Sequence, residues 1–149
     1  MPNILVLCQA NQFRSVVTEY ALRARLEPEV WTIASAGLWA EDGLPAVRGL
    51  GEWSGLLQIS RHRSRVLKPE MLQSADLILV MERGQKEALS VEFPDAAAKI
   101  YLLSELSSPI PYDIPDPALG GENSKRLIEE IVSLVEKGLP RIIQLDGQT

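Results

Sequence analysis

Asn3-Ile4-Leu5-Val6-Leu7-Cys8-Gln9-Ala10-Asn11-Gln12-Phe13-Arg14-Ser15-Val16-Val17 is a strand, a short polar turn and the start of a helix, in that order. Asn3 to Leu7 is a nearly unbroken apolar run with β-branched content. Such a run fits a strand buried on both faces, as in a parallel sheet. Cys8 to Ser15 is short and polar. Beyond it Val16, Val17, Tyr20, Ala21 and Ala24 recur at helical spacing, which predicts a helix from about Ser15 to Leu26. Pro28 ends it.

The alternation continues downstream. Val30 to Ala34 is predicted as the second strand, with Gly37 as a breaker after it. Pro45 suits a first helical turn, and Val47, Leu50, Leu56 and Leu57 extend a helix to about Leu57. Gly49, Gly51 and Gly55 work against that helix. Arg61-His62-Arg63-Ser64-Arg65 is a basic loop, and Pro69 to Leu72 a short helix. Asp76 to Met81 is the third strand, Gln85 to Val91 a helix closed by Pro94, and Ala98 to Leu103 the fourth strand. Ser104 to Gly121 carries Pro109, Pro111, Pro115 and Pro117 and reads as a long ordered loop. The last helix starts near Glu122 and uses Leu127, Ile128, Ile131, Leu134 and Val135, with Gly138 and Pro140 expected to kink or stop it. Apolar strands alternating with helices predict one α/β domain over residues 1–149, built on a parallel sheet covered on both faces. The long loop then lies at the carboxyl ends of the strands, where such sheets bind ligands.

Composition excludes several functions. The chain of 149 residues has a net charge of -5, which argues against nucleic acid as a partner, since phosphate-backbone binding needs a broad basic surface. No stretch approaches the roughly 20 apolar residues of a membrane helix. Met1-Pro2-Asn3 runs straight into the first strand without a basic leader, so the cytoplasm is the expected location. One cysteine and one histidine cannot make an internal disulfide or a cysteine-based zinc site, and neither a metal nor a cofactor is expected.

Chemistry concentrates at the first strand's end. A loop leaving a strand and entering a helix turns successive backbone N–H groups into one concavity. The helix N-terminus adds about half a positive charge, so an oxyanion fits there. Cys8-x5-Arg14 leaves enough chain to wrap a phosphate, which Arg14 can grip bidentately as a lysine could not. The same field favours the thiolate of Cys8. Ser15, at the start of the helix, can donate a hydrogen bond to that sulfur. Asn11 is the residue best suited to a left-handed backbone position in the turn. A proton donor is also required for the leaving oxygen, and the late loop supplies carboxyl groups at Asp113 and Asp116.

Cys8 to Ser15 resembles the phosphate loop of low-molecular-weight protein tyrosine phosphatases, written C-x-G-N-x-C-R-S-P. Ser35-Ala36-Gly37, His62-Arg63-Ser64-Arg65, Ala75 to Met81 and Asp116-Pro117 look like that family's later motifs in the right order, so the resemblance covers nearly the whole chain. It implies a three-layer α/β/α fold with a four-stranded sheet in the order 2-1-3-4 and the phosphate loop after strand 1. It implies a protein-tyrosine phosphatase working through a phosphocysteine, with no cofactor, on a phosphorylated protein or a small phosphomonoester. Cys8, Arg14 and Asp116 would be catalytic, with Asp113 the runner-up acid. Gln9, Ala10, Asn11, Gln12, Phe13, Arg14 and Ser15 would hold the phosphate. Ser15, Ser35 and His62 would support Asn11. Taken alone, His62 and its neighbours Arg61, Arg63 and Arg65 read as a solvated loop that weakly attracts anions.

The chain departs from the pattern at several points. Ala10 replaces Gly, which requires a negative φ there. Phe13 replaces a second Cys, so the nucleophile has no partner for a reversible disulfide. Val16 stands in place of Pro at little cost. Gln12 is polar where the family is apolar, and Ala118-Leu119 stand where phosphotyrosine-directed members carry aromatics. Gln12, Trp39, Ala118 and Leu119 would then wall the substrate, with Trp39 offering the one ring. These changes keep open a protein-arginine phosphatase, an arsenate reductase using an external thiol, and a phosphate-binding module without catalysis.

Overall fold

The computed structural model describes residues 2–116 and 121–146. Strands β1 (Asn3–Cys8), β2 (Thr32–Gly37), β3 (Leu77–Val80) and β4 (Ile100–Leu102) form a parallel sheet in the order β2-β1-β3-β4. The helices are α1 (Arg14–Arg25), α2 (Leu50–Ser54), α3 (Pro69–Ser74), α4 (Arg83–Glu92), α5 (Leu103–Ser107) and α6 (Gly121–Asp146). The expected three-layer α/β/α architecture and strand order are therefore present.

β1 is central, and its side chains divide by parity. Ile4, Val6 and Cys8 face a core shared with Val16, Val17, Ala21 and Leu22 of α1 and Ile128, Ile131 and Val135 of α6. Leu5 and Leu7 face the opposite core, with Leu72 of α3 and Leu89 of α4. Burial on both faces is why this strand reads as an apolar run rather than an alternation. Cys8 closes the strand, so the turn after it emerges at the sheet's carboxyl edge.

Several boundaries differ from the sequence reading, each for a local reason. β2 starts later because the Val30 and Trp31 amides fold back onto the Glu27 carbonyl, leaving Val30 exposed. The helix expected from Pro45 to Leu57 shrinks to α2. Gly49 and Gly55 flank it at φ 88° and 74°, left-handed values that bar a continuous helix. A 3₁₀ turn over Pro94–Lys99 delays β4 to Ile100. The loop expected from Ser104 begins as α5, because Leu103 and Ser104 are buried. Ser104 Oγ then donates to the Tyr112 carbonyl and accepts from the Tyr112 amide, at 2.6 and 2.9 Å. α6 runs through Gly138 and Pro140 without stopping. Its apolar stripe continues to the fully buried Ile142, and that packing outweighs the one backbone bond proline forfeits.

Candidate active site

The turn between β1 and α1 has its carbonyls pointing away from its hollow. Cys8 O accepts from the Leu38 amide, Gln9 O from Trp39, Gln12 O from Val47 and Phe13 O from Val17, at 2.9–3.0 Å. Asn11 O lies 2.8 Å from His62 Nε2, which must donate there, since a carbonyl only accepts. The amides from Gln9 through Ser15 donate to no protein acceptor among the described residues. Phe13 is the N-cap of α1 and offers no capping hydrogen bond, and the helix's first turn holds no acid. The positive end of α1 is thus left unneutralised, with a row of unpaired N–H groups before it. Asn11 supplies the reversal, at φ 58° the one described non-glycine residue with positive φ. Ala10 keeps a negative φ, as its methyl requires.

Cys8 sits at the base of this cup, 3% exposed. Its sulfur is 2.9 Å from Ser15 Oγ. The direction of that bond follows from a buried chain of partners. Asn11 Oδ1 accepts from the Arg65 amide at 3.0 Å, which fixes the orientation of the Asn11 amide. Asn11 Nδ2 then donates to Ser15 Oγ at 2.9 Å and to Ser35 Oγ at 2.8 Å. Ser35 in turn donates to Glu19 Oε1 at 2.5 Å. Glu19 is 5% exposed, and its other oxygen accepts from Arg23 Nε at 2.7 Å. With its oxygen accepting from Asn11, Ser15 has its own proton free to give to sulfur. That is the arrangement a thiolate wants.

Arg14 is buried to 1% exposure and spans from the cup to the late loop. Nη1 donates to Glu82 Oε1 at 3.1 Å and to the Ile114 carbonyl at 2.8 Å. Nη2 lies 2.6 Å from Asp116 Oδ1 but is not aligned as a hydrogen bond, so its protons stay available to an oxyanion. The Ile114 amide donates to the Met81 carbonyl, pinning the loop to the end of β3. Asp113, the alternative acid, is engaged elsewhere: its Oδ1 accepts from the Arg83 amide at 2.8 Å at the start of α4. Tyr112, beside it, is held above the ordinary phenol range by burial and then by the neighbouring Glu130 carboxylate of α6.

The structure thus brings together Cys8, Asn11, Arg14, Ser15, Ser35, His62 and Asp116. The solvated reading of His62 is corrected: it is 5% exposed, with Tyr20 edge-on at 6.2 Å. Arg65 is exposed as expected, yet its Nε and Nη2 both donate to the Ser35 carbonyl. Gly37 ends β2 rather than simply breaking the chain. A Cβ there would fall 2.6 Å from the Gln9 carbonyl oxygen, so only glycine lets the cup approach. Gln12 borders the mouth with Nε2 bound to the Pro45 carbonyl at 3.0 Å. Trp39 is 83% exposed, its amide on the outside of the cup. Ala118 and Leu119, the other two wall residues, lie outside the described residues. Two contributors escaped the sequence reading, Glu19 and Glu82. Glu19 stands four residues after Ser15 and four before Arg23 on α1, and a carboxylate in line with Ser15 on the helix was the available signal. Glu82 precedes α4 with Gln85 three residues on, a capping pattern in which Gln85 Oε1 accepts from the Met81 and Glu82 amides.

A central parallel strand ending in an amide-lined anion cup, with a thiol at its base and a guanidinium above, defines a cysteine-dependent phosphatase. Residues 3–146 match the family of low molecular weight phosphotyrosine protein phosphatases. The chain belongs to that family. Over 145 residues it is 32% identical to a probable low molecular weight protein-tyrosine-phosphatase, EpsP, of Ralstonia nicotianae, covering 93% of this chain and 94% of that one. Among solved structures it resembles the YwlE arginine phosphatase of Geobacillus stearothermophilus, with TM-score 0.86, 28% identity and coverage of 98% and 95%. It also resembles a low molecular weight protein tyrosine phosphatase of T. tengcongensis, with TM-score 0.85, 30% identity and coverage of 95% and 99%.

Proposed function

We propose that the chain hydrolyses phosphotyrosine on proteins in two steps through a phosphocysteine. The observation that carries this is the cup itself: unpaired amides, outward carbonyls, and a serine hydroxyl 2.9 Å from a buried sulfur. In the first step Cys8 Sγ attacks phosphorus in line. The S–P bond forms as the P–O bond breaks, and Asp116 gives its proton to the leaving oxygen. Arg14 exchanges its contact with Asp116 for the equatorial oxygens, whose charge the loop amides share. In the second step water attacks phosphorus, Asp116 takes the water's proton, and the thiolate leaves inorganic phosphate behind. Asn11, Ser35, His62 and Glu19 act by positioning the cup. A free nucleophilic thiol suits the reducing cytoplasm, where we place the enzyme. No helix among the described residues is long and apolar enough to cross a membrane.

One observation favours a second substrate, phosphoarginine. The bond from Gln12 Nε2 to Pro45 leaves the amide oxygen as the free group at the mouth. An acceptor there suits a leaving group rich in N–H donors better than a phenyl ring, and the solved relative named above is an arginine phosphatase. The deciding experiment is a panel of phosphotyrosine peptide, phosphoarginine peptide, aryl phosphate and arsenate, on wild type and Cys8→Ser. Hydrolysis that vanishes in Cys8→Ser while phosphate still binds supports the mechanism. Phosphate binding without any Cys8-dependent turnover would make the chain a binding module, and thiol-dependent arsenate reduction alone would make it a reductase. Because departure needs a proton from Asp116, Asp116→Asn should cost kcat far more on a phosphate ester with a poor leaving group than on an activated aryl phosphate. Equal losses on both substrates would remove Asp116 from its role.

A further inference from the structure

We infer that the groove beside Gln12 binds the polypeptide flanking the phosphorylated residue, and that it favours an acidic side chain on that side. This rests on the cup being the phosphoryl site. The groove holds about 370 Å³ and runs along Pro45 to Glu52, closed by Ile59 and Ser60. It is joined to the cup by two bonds. Gln12 Nε2 donates to the Pro45 carbonyl, and the Val47 amide donates to the Gln12 carbonyl, each at 3.0 Å. Gln12, in the turn of the cup, thus bonds two residues of the groove's lining, Pro45 and Val47.

What lines the groove identifies its occupant. Leu50 and Ile59 are buried beneath it, at 0% and 2% exposure, and give it an apolar floor. Ala46 and Arg48 each have a backbone N–H and C=O that make no protein hydrogen bond among the described residues. Free main-chain groups over an apolar floor are what an extended peptide pairs with, its backbone on the edge and a side chain on the floor. A small phosphate ester has nothing to offer those groups. Charge gives the preference. Arg48 is exposed and pairs with no carboxylate among the described residues, while Glu52 is the one acid lining the groove. Arg61, also exposed, follows Ser60 at the far end.

The test compares kcat/KM for an aryl phosphate, the free phosphorylated amino acid that the panel selects, and peptides extending it toward either terminus with Glu or Lys flanks. Extension toward one terminus with Glu should raise kcat/KM by about tenfold over the free amino acid. In Arg48→Glu, the ratio of Glu-flanked peptide to aryl phosphate should fall about fivefold to tenfold, and the Lys-flanked ratio should rise. Added salt should shrink the wild-type preference. Equal rates for peptides and free amino acid, or an Arg48→Glu loss shared equally by every substrate, would overturn the inference and leave the phosphatase reading standing. Failure of wild type to hydrolyse even the aryl phosphate would instead overturn that earlier reading.

Discussion

A carboxylate can only accept hydrogen bonds, and at Glu19 that limit propagates inward. Ser35 must give its proton to Glu19, Asn11 gives one proton to Ser35 and another to Ser15, and Ser15 is left facing Cys8. Glu19→Gln keeps the shape but removes the charge and can present an N–H to Ser35 in place of an acceptor; Asn11 keeps its orientation through the Arg65 amide, but the support beneath Ser35 is weakened. We expect kcat to fall and the fold to lose about 1–3 kcal/mol, read from steady-state rates and urea midpoints. Ser35→Ala should give a similar fall in kcat. A Glu19→Gln enzyme with wild-type kcat would show that the cup does not depend on the carboxylate beneath Ser35. Arg14→Lys should lose most turnover although the charge remains, because one ammonium cannot hold Glu82, Ile114 and an oxyanion together. Cys8, Asn11, Arg14 and Ser15 were legible because they are neighbours in one turn whose chemistry is local. The burial of His62 and the reach of Arg65 were not, because the partners that bury and bind them, Asn11 and Ser35, arrive only through folding.

At the level of elements, packing decides where local preference and tertiary contact disagree. α6 contains both a glycine and a proline, yet it continues because its buried stripe does. Pro140 is exposed, so Pro140→Ala should lose no contact, regain a helical hydrogen bond and raise stability by as much as about 3 kcal/mol. Gly138 differs. A Cβ there would fall 2.7 Å from Ser107 Oγ, which donates to the Leu103 carbonyl at 2.7 Å. The gain of about 1 kcal/mol in helix propensity for Gly138→Ala should be cancelled by that collision. The same change made in a Ser107→Ala background should recover it, and denaturant titration of the single and double variants separates the cases. Element order and type were readable from apolar runs and prolines. Boundaries were not, since the left-handed glycines around α2 and the turn before β2 act through backbone angles that periodicity does not register.

For the whole molecule, alternating buried strands and helices carried the parallel sheet, and a parallel sheet puts its ligand edge where β1 ends. The sequence alone did not reveal how much of the cup is built from afar: Ser35, His62 and Arg65 hold it, while Glu82 and Ile114 hold its arginine. Phe13, buried against the core, occupies the place where relatives of this pattern keep a second thiol. Peroxide should therefore carry Cys8 past the sulfenic acid, and reductant added afterwards should not restore activity. Full recovery from the doubly oxidised form would contradict this. The same solitude has a practical side. With one cysteine in the chain, and that one at the base of the cup, every thiol adduct forms at a single known address. The intact mass after brief alkylation then works as an occupancy gauge. The unlabelled fraction counts the molecules whose pocket was filled, with no engineered tag or reporter.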